Sequence, residues 1–178
     1  MSKRVLCLLV DGFEETETVT PVNLMRRGGI EVVMASLHGG VVEGRGGLRL
    51  EPDEDFEDLE PQTFDLLFLP GGPGVMELLA DGRAVTLAQQ FHAASKPVAA
   101  ICAAPLILQA AGLLQNHRFT AHFSVHGELP GVLNERVVED RLILTSRGPG
   151  TAVDFGLALV RRLVGEAAAR EVAAAIMA

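Results

Sequence analysis

The sequence lacks several residue types that whole classes of protein require. Trp and Tyr are absent, and Cys7 and Cys102 are the two cysteines in 178 residues. Two cysteines cannot build a disulfide framework or a four-cysteine zinc site, so we expect a reducing, cytoplasmic setting. No apolar run approaches the ~18 residues of a membrane-spanning helix. The apolar stretch after Lys3 and Arg4 is too short for a signal peptide, and none is expected.

Basic charge is scarce as well. The chain has 15 Lys and Arg residues against 23 Asp and Glu residues, which gives a net charge of -8. Nucleic-acid-binding surfaces normally need a basic patch, so no specific nucleic-acid binding is expected. The chain does have 48% hydrophobic residues and 21% charged residues, as globular proteins do. This length and composition predict a single domain over residues 1–178.

Strand and helix patterns alternate along the chain. Apolar runs such as "VLCLLV", "FDLLFLP" and "PVAAI" predict buried strands. Helices are predicted from about Glu15 to Arg27 and from Ala103 to Leu114, among others, and the glycine-rich "GGVVEGRGGLRLEPD" predicts a small β-hairpin. The alternation predicts an α/β fold with a mostly parallel central sheet and helices on both faces. Functional sites in such folds lie beyond the carboxyl ends of the strands.

Three loops directly follow predicted strands and should therefore meet at one edge of the sheet: "DGFEETE", "LPGGPG" and "ICAAP". Cys102, in the last loop, is either a small buried core residue or a nucleophile displayed by a tight strand-to-helix turn. Its alanine neighbours favour the turn, and the start of a helix would lower the pKa of the thiol. The glycine loop fits neither a phosphate loop nor a dinucleotide fingerprint. Its amides could bind an oxyanion.

Candidate proton-transfer groups are carboxyl and imidazole side chains. "EETE" places Glu14 and Glu17 near a helix N-terminus, where the helix dipole alone favours acidic residues. A carboxyl packed beside Cys102 would instead have a raised pKa and could act as a general acid or base. His122 follows "RFTA", which predicts a strand ending at the same edge, and His126 in "HGE" is a competing candidate. No His, Cys and carboxylate spacing matches a metal site, so no metal is expected.

Taken together, the motifs resemble those of the ThiJ/PfpI superfamily. "DGFEETETVTPVNLMRRGGI", "LPGGPG", "AAICAAP" and "LTSRGPGTAVDFGLALV" occur in the order expected for that family and cover essentially the whole chain. They are most similar to the parkinsonism-associated protein deglycase branch, which includes YajL-like bacterial members. The resemblance implies a flavodoxin-like three-layer sandwich, a homodimer, no cofactor, and a reactive cysteine that oxidises readily.

The resemblance also implies roles for individual residues. The family's cysteine corresponds to Cys102, its protonated glutamate to Glu17, and the histidine near the cysteine to His122. The amides that bind an oxyanion correspond to those of Gly72 and Ala103. Further matching positions are Gly71 for substrate binding and, for support of the site or linkage of the dimer, Glu14, Arg45, Arg27, Arg147, Gly148 and Pro149.

The activity that the resemblance implies is that of a cofactor-independent glyoxalase or protein deglycase. Its substrates would be methylglyoxal, glyoxal or their early adducts with proteins, amino acids or nucleotides, in protection against carbonyl and oxidative stress. Ala103 stands where protease-like members carry His, which argues against a protease, and "HGE" lies too early in the chain for the glutamine amidotransferase pair. The alternative is a non-enzymatic redox sensor or chaperone that responds through oxidation of Cys102. A thiazole- or thiamin-related role is weaker, because no thiamin-specific pocket can be recognised.

Overall fold

A seven-stranded sheet with helices on both faces forms the centre of the computed structural model, which describes residues 2–178. The strands are Arg4–Leu9 (β1), Glu31–Ser36 (β2), Val42–Glu43 (β3), Arg49–Leu50 (β4), Glu54–Asp55 (β5), Leu66–Leu69 (β6), Val98–Ile101 (β7), Val137–Asp140 (β8) and Ile143–Ser146 (β9). The α-helices are Glu15–Arg27 (α1), Val75–Asp81 (α2), Arg83–Ala93 (α3), Pro105–Ala110 (α4), Ala152–Val164 (α5) and Glu166–Ala175 (α6). Short 3₁₀ helices cover Phe56–Asp58, Pro61–Thr63, Phe123–Val125 and Pro149–Thr151.

The sheet has the strand order β5-β2-β1-β6-β7-β9-β8. All neighbouring strands are parallel except β8, which pairs antiparallel with β9 at one edge. Strands β3 and β4 form a separate antiparallel hairpin. The predicted α/β class, the mostly parallel sheet and the small hairpin are therefore confirmed.

Two apolar layers enclose the sheet, one on each face. Helices α1, α5 and α6 pack on one face, where Phe68 of β6 meets Phe155 of α5 edge to face with 5.7 Å between ring centroids. Helices α2, α3 and α4 supply the other layer, which includes Phe91 and Ile107. Strands covered on both sides are apolar throughout, which explains the unbroken runs in the sequence. No helix within residues 2–178 is long and apolar enough to cross a membrane.

Hydrogen bonds join the loops at the carboxyl edge of the sheet. The Glu14 amide after β1 donates to the carbonyl of Gly71 after β6, at 3.0 Å. The Cys102 amide after β7 donates to the carbonyl of Ser146 at the end of β9, at 2.9 Å. Gly71 also lies directly beside Cys102, so the loops after four neighbouring strands form one connected surface, as parallel topology requires.

Two local predictions are wrong, and one short strand was not predicted. Helix α4 spans only Pro105–Ala110, because the chain turns at Gly112, which has a φ of 75°. The residues before His122 do not form a strand. Both edges of β9 are already paired, one with β7 and the other with β8, so no edge of β9 is left for them. The two-residue strand β5 at the opposite edge was not predicted, and its acidic sequence carries no strand signal.

Candidate active site

Cys102 occupies a strained turn directly after β7. Its φ is 66°, a left-handed conformation that costs a residue other than glycine about 1–2 kcal/mol. Two hydrogen bonds hold this conformation: the Cys102 amide donates to Ser146, and the Cys102 carbonyl accepts from the His122 amide at 2.9 Å. The side chain remains 8% exposed. Strain that is maintained by surrounding structure in this way is a feature of functional sites.

Three glutamates at the start of α1 have three different environments. The Glu14 carboxylate caps the helix by accepting from the Glu17 amide at 2.7 Å. The Glu15 carboxylate faces the β3–β4 hairpin and accepts from the Gly46 amide at 2.6 Å. Glu17 points inward and is completely buried. The dipole explanation therefore fits Glu14 and Glu15, whereas burying Glu17 needs another reason.

The buried carboxyl of Glu17 retains its proton to unusually high pH. Burial raises its pKa to about 7, and the negative charge of Glu14 adds to this increase. Interactions with the Cys102 thiol and the Gly71 amide oppose the increase without cancelling it. Neither carboxyl oxygen makes a full hydrogen bond within residues 2–178. A carboxyl with a pKa near neutrality can both donate and accept a proton under physiological conditions.

The pKa of Cys102 is raised to about 12, by burial first and then by the charge of Glu17. Backbone amides of Gly72 and Ala103 face the sulfur and lower this pKa by a smaller amount. The prediction that a helix start would lower the thiol pKa is wrong, because α4 begins only at Pro105 and burial dominates. Cys102 and Glu17 act on each other and therefore titrate as one pair. One negative charge is accommodated in the pair near neutral pH, and a second is strongly opposed.

Glycines give the pair the space it needs. A Cβ on Gly71 would lie 2.5 Å from the Cβ of Cys102 and would also overlap the Glu17 carboxyl. Gly72 has a φ of 102°, and a Cβ there would lie 2.6 Å from the amide nitrogen of Glu14. Any larger residue would therefore separate the first and second loops of the site.

His122 lies on the opposite side of the pair. A Cβ on Gly148 would lie 3.2 Å from Cδ2 of His122 and 3.8 Å from Oε1 of Glu17, so this glycine separates the two side chains. Nδ1 of His122 accepts from the Ser124 amide at 3.3 Å. The pKa of His122 is lowered by burial and by the nearby His126 and Arg45, which favours the neutral ring. His126 instead places its Nε2 3.2 Å from the carbonyl of Ala121.

The remaining predicted residues lie at different distances from the pair. The backbone amide of Arg45 donates to the Phe13 carbonyl at 2.9 Å. The positive charge of the Arg45 side chain lowers the pKa of both Glu17 and His122. Pro149 begins the short 3₁₀ helix that follows Gly148. Arg27 ends α1, about 15 Å along the helix from Glu17, and does not reach the pair of its own chain. Its role in a dimer stays a prediction.

The sequence did not indicate a cavity of about 410 Å³ beside the pair. His122, Gly148 and Arg147 contribute to its lining, together with Phe123 and Asn134, which no motif singled out. These last two residues lie in a stretch without regular periodicity, so no sequence signal marked them. Among residues 2–178, no group of three or more His, Cys, Asp or Glu side chains could hold a metal ion.

The family model described as "DJ-1/PfpI family" matches residues 3–162. The chain belongs to the DJ-1/PfpI family. It is 36% identical to the Parkinson disease protein 7 homolog of Danio rerio, over 98% of this chain and 97% of the relative. It is 33% identical to a Pyrococcus furiosus relative named deglycase PfpI, over 83% of this chain and 91% of that protein. The crystal structure of Drosophila melanogaster DJ-1beta superimposes with a TM-score of 0.95 at 32% identity, over 99% of this chain and 98% of that one.

Proposed function

We propose that this chain is a cofactor-independent enzyme of the glyoxalase/deglycase class, with Cys102 as nucleophile and Glu17 as proton-transfer residue. The observation that carries the proposal is the juxtaposition of a strained, slightly exposed thiol with a buried carboxyl whose pKa is about 7. A buried acidic pair of this kind is costly to maintain, and a stable core does not require it. The archaeal relative named as a deglycase supports the reaction class.

The first step follows from the single charge of the pair. Because the pKa of Glu17 is below that of Cys102, the charge lies on Glu17, whose carboxylate removes the thiol proton as the sulfur attacks and thereby becomes the proton donor. The sulfur forms a bond to the aldehyde carbon of methylglyoxal, and the carbonyl electron pair moves to oxygen. Glu17 protonates that oxygen to give a hemithioacetal. The amides of Gly72 and Ala103 would stabilise the developing negative charge.

The later steps move protons between two carbon atoms. The Glu17 carboxylate removes the proton from the carbon bonded to sulfur, which gives an enediol, and His122 assists by exchanging the proton of the neighbouring oxygen. Protonation of the second carbon produces a thioester of lactate on Cys102. Water hydrolyses the thioester, releasing lactate and restoring the thiol. With an early amine adduct, the same attack on the carbinolamine carbon would release the amine.

Purified protein supplied with methylglyoxal tests this proposal, with D- and L-lactate as the measured products. Cys102→Ala is expected to reduce the rate at least 1,000-fold, since the covalent intermediate cannot form. Cys7→Ala is the matched control and should keep most of the activity. Undiminished lactate production by Cys102→Ala would exclude the mechanism.

A redox function of the same cysteine is the second candidate. The amides of Gly72 and Ala103 that face the sulfur would also donate hydrogen bonds to oxygen atoms on an oxidised Cys102. Mild peroxide treatment followed by mass spectrometry distinguishes the residues: the sensor proposal requires Cys102 to oxidise much faster than Cys7. Equal oxidation of the two cysteines would exclude it.

We propose that the active form is a homodimer. Val19 of α1 is 44% exposed and Leu48 of the hairpin is 59% exposed, and a second subunit could cover both. Arg27 and Arg45 form no ion pair within residues 2–178 and could find partners there. Sedimentation analysis tests the proposal, and a monomer at micromolar concentration would contradict it.

A further inference from the structure

The cavity beside the catalytic pair is larger than methylglyoxal requires. Its volume of about 410 Å³ falls in the range of roughly 300–1,000 Å³ typical of small-molecule sites. Gly148 and His122 line the cavity, and Gly148 also lies next to the Glu17 carboxyl, so the cavity and the catalytic pair are neighbours on the two sides of these residues. Its lining includes the apolar side chains of Phe123 and Leu133 and the polar side chains of Arg147 and Asn134.

The charges around this cavity differ from those of the chain as a whole. The chain has a net charge of -8, yet none of the described residues that line the cavity is acidic. Several arginines of the chain have carboxylate partners, as Arg118 has Glu135 at 3.0 Å. Arg136 at the rim is likewise paired, with Asp154.

Arg147 lines the cavity without such a carboxylate partner among the described residues. It forms no ion pair within residues 2–178, and its guanidinium donates to the neutral amide oxygen of Asn134 at 3.3 Å. Arg147 also follows Ser146, whose carbonyl accepts from the Cys102 amide, so the arginine is attached to the turn that displays the thiol. A half-buried guanidinium with free donors is suited to binding a carboxylate or phosphate.

Arg45, in the hairpin on the other side of His122, would also attract an anionic ligand. Burial is the main cause of the lowered pKa of His122, and His126 and the charge of Arg45 add to it, so positive potential reaches this ring from the hairpin. Phe123 is 77% exposed and tilts against His122 with 4.1 Å between ring centroids, which provides an apolar surface next to the charged one. The arrangement suits a ligand with an anionic end and a short carbon chain.

We propose that this cavity is a subsite for the anionic group of the substrate, with Arg147 as the residue that binds a carboxylate or phosphate. The preferred substrates would then be 2-oxoaldehydes or early adducts that carry such a group, in preference to neutral methylglyoxal. This inference rests on the proposed function for its substrate class. The binding of an anion beside Cys102 can be tested without any turnover.

Alkylation of Cys102 by iodoacetate and iodoacetamide is the first test, because the two reagents differ mainly in charge. Mass spectrometry gives the rate of iodoacetate divided by the rate of iodoacetamide at Cys102. The same ratio for glutathione under the same conditions is the reference. We expect the ratio for the protein to exceed the reference about fivefold, to decrease with added salt, and to fall to the reference in Arg147→Gln. Arg161→Gln, an exposed change of the same charge on α5, should retain the high ratio. A native ratio equal to the reference, or equal losses in the two variants, would overturn the proposal.

Titration with inorganic phosphate and with acetate, at constant ionic strength, tests binding directly through the ring NMR signals of His122 and His126. Saturable shifts that Arg147→Gln abolishes support the subsite. Tighter binding of phosphate identifies phosphorylated substrates, and equal or tighter binding of acetate identifies carboxylated ones. The absence of a saturable shift with either ion overturns the proposal. If the ions bind but no 2-oxoaldehyde is converted, the proposed function fails and the subsite remains.

Discussion

The two cysteines of this chain are almost equally buried, yet their surroundings differ completely. Cys7 lies inside β1, is fully buried, and is aligned with Met34 of β2 and Phe68 of β6 on its two sides. Burial raises its pKa far above the usual range. Cys102 is 8% exposed, has a φ of 66°, and shares its surroundings with Glu17. Burial alone therefore does not distinguish the two thiols, whereas backbone conformation and the neighbouring carboxyl do.

The difference follows from where each cysteine lies relative to the end of its strand. Inside a parallel strand, sheet pairing fixes the backbone and both faces are covered, so a small apolar side chain such as Cys is simply packed. One residue beyond the strand the chain must turn, and the turn can present a side chain to the loops of neighbouring strands. The same residue type is thus packed inside the sheet at one position and presented to neighbouring loops at the other.

The largest expected contrast is in alkylation under native conditions. Iodoacetamide should modify Cys102 at least 1,000-fold faster than Cys7, because Cys7 becomes accessible only when the sheet opens. Peptide mass spectrometry of timed samples measures both rates in one experiment. In denaturant the two rates should converge, which serves as the internal control. Comparable rates in the folded protein would contradict the distinction between the two cysteines.

The next contrast concerns Gly71, the glycine that lies against both Cys102 and Glu17. Gly71→Ala would place a methyl group 2.5 Å from the Cβ of Cys102 and 2.9 Å from the carbonyl of Ile101. We expect overpacking to lower the free energy of unfolding by about 2–3 kcal/mol and activity by about 100-fold. Gly150→Ala is the control, since nothing lies within 4 Å of its added Cβ. Urea unfolding and lactate production measure the two effects, and equal behaviour of the variants would refute the assignment of Gly71.

Glu17→Gln is expected to raise the free energy of unfolding, whereas Gly71→Ala lowers it, and the change is smaller. The folded-state pKa of Glu17 is about 7, above the reference value of 4.5, so the folded protein binds this proton more tightly than the unfolded chain. The resulting stabilisation is complete below pH 4.5 and is lost as the pH rises through 7. Glu17→Gln does not titrate, so at pH 8 it should be more stable than the native protein by on the order of 2 kcal/mol, with little gain at pH 4.5.

Urea unfolding at the two pH values checks this expectation, and Glu15→Gln provides a control with the opposite sign. Burial tends to raise the pKa of Glu15, but backbone amides, including that of Gly46, and the charge of Arg45 lower it overall. Glu15 therefore contributes stability above its unfolded pKa, and its replacement should weaken the fold at pH 8. A pH-independent effect of Glu17→Gln would mean that its carboxyl is not buried as described.

The bounds of α1 and the position of the β3–β4 hairpin were predictable from the sequence, because glycines end the helix and a glycine-rich segment marks the hairpin. The meeting of Cys102 and Glu17 was also predictable, since both loops follow strands of one parallel sheet. The pKa of Cys102 was predicted in the wrong direction, because no local pattern shows how deeply a turn is buried. The Arg147 cavity was missed for a related reason: contact between Arg147 and Asn134 depends on the path of an irregular segment.

The smallest expected effect isolates the backbone strain at Cys102. Cys102→Gly and Cys102→Ala both remove the thiol, but only Ala retains a side chain at a φ of 66°. The Gly variant should therefore be more stable by about 1 kcal/mol. At Cys7, in the middle of a strand, the order should reverse, with Ala more stable than Gly by roughly 0.5–1 kcal/mol. Urea unfolding of all four variants gives two differences that each reflect a single methyl group. If Ala is more stable than Gly at both positions, the turn at Cys102 is not strained. Burial beside Glu17 alone would then distinguish the two cysteines.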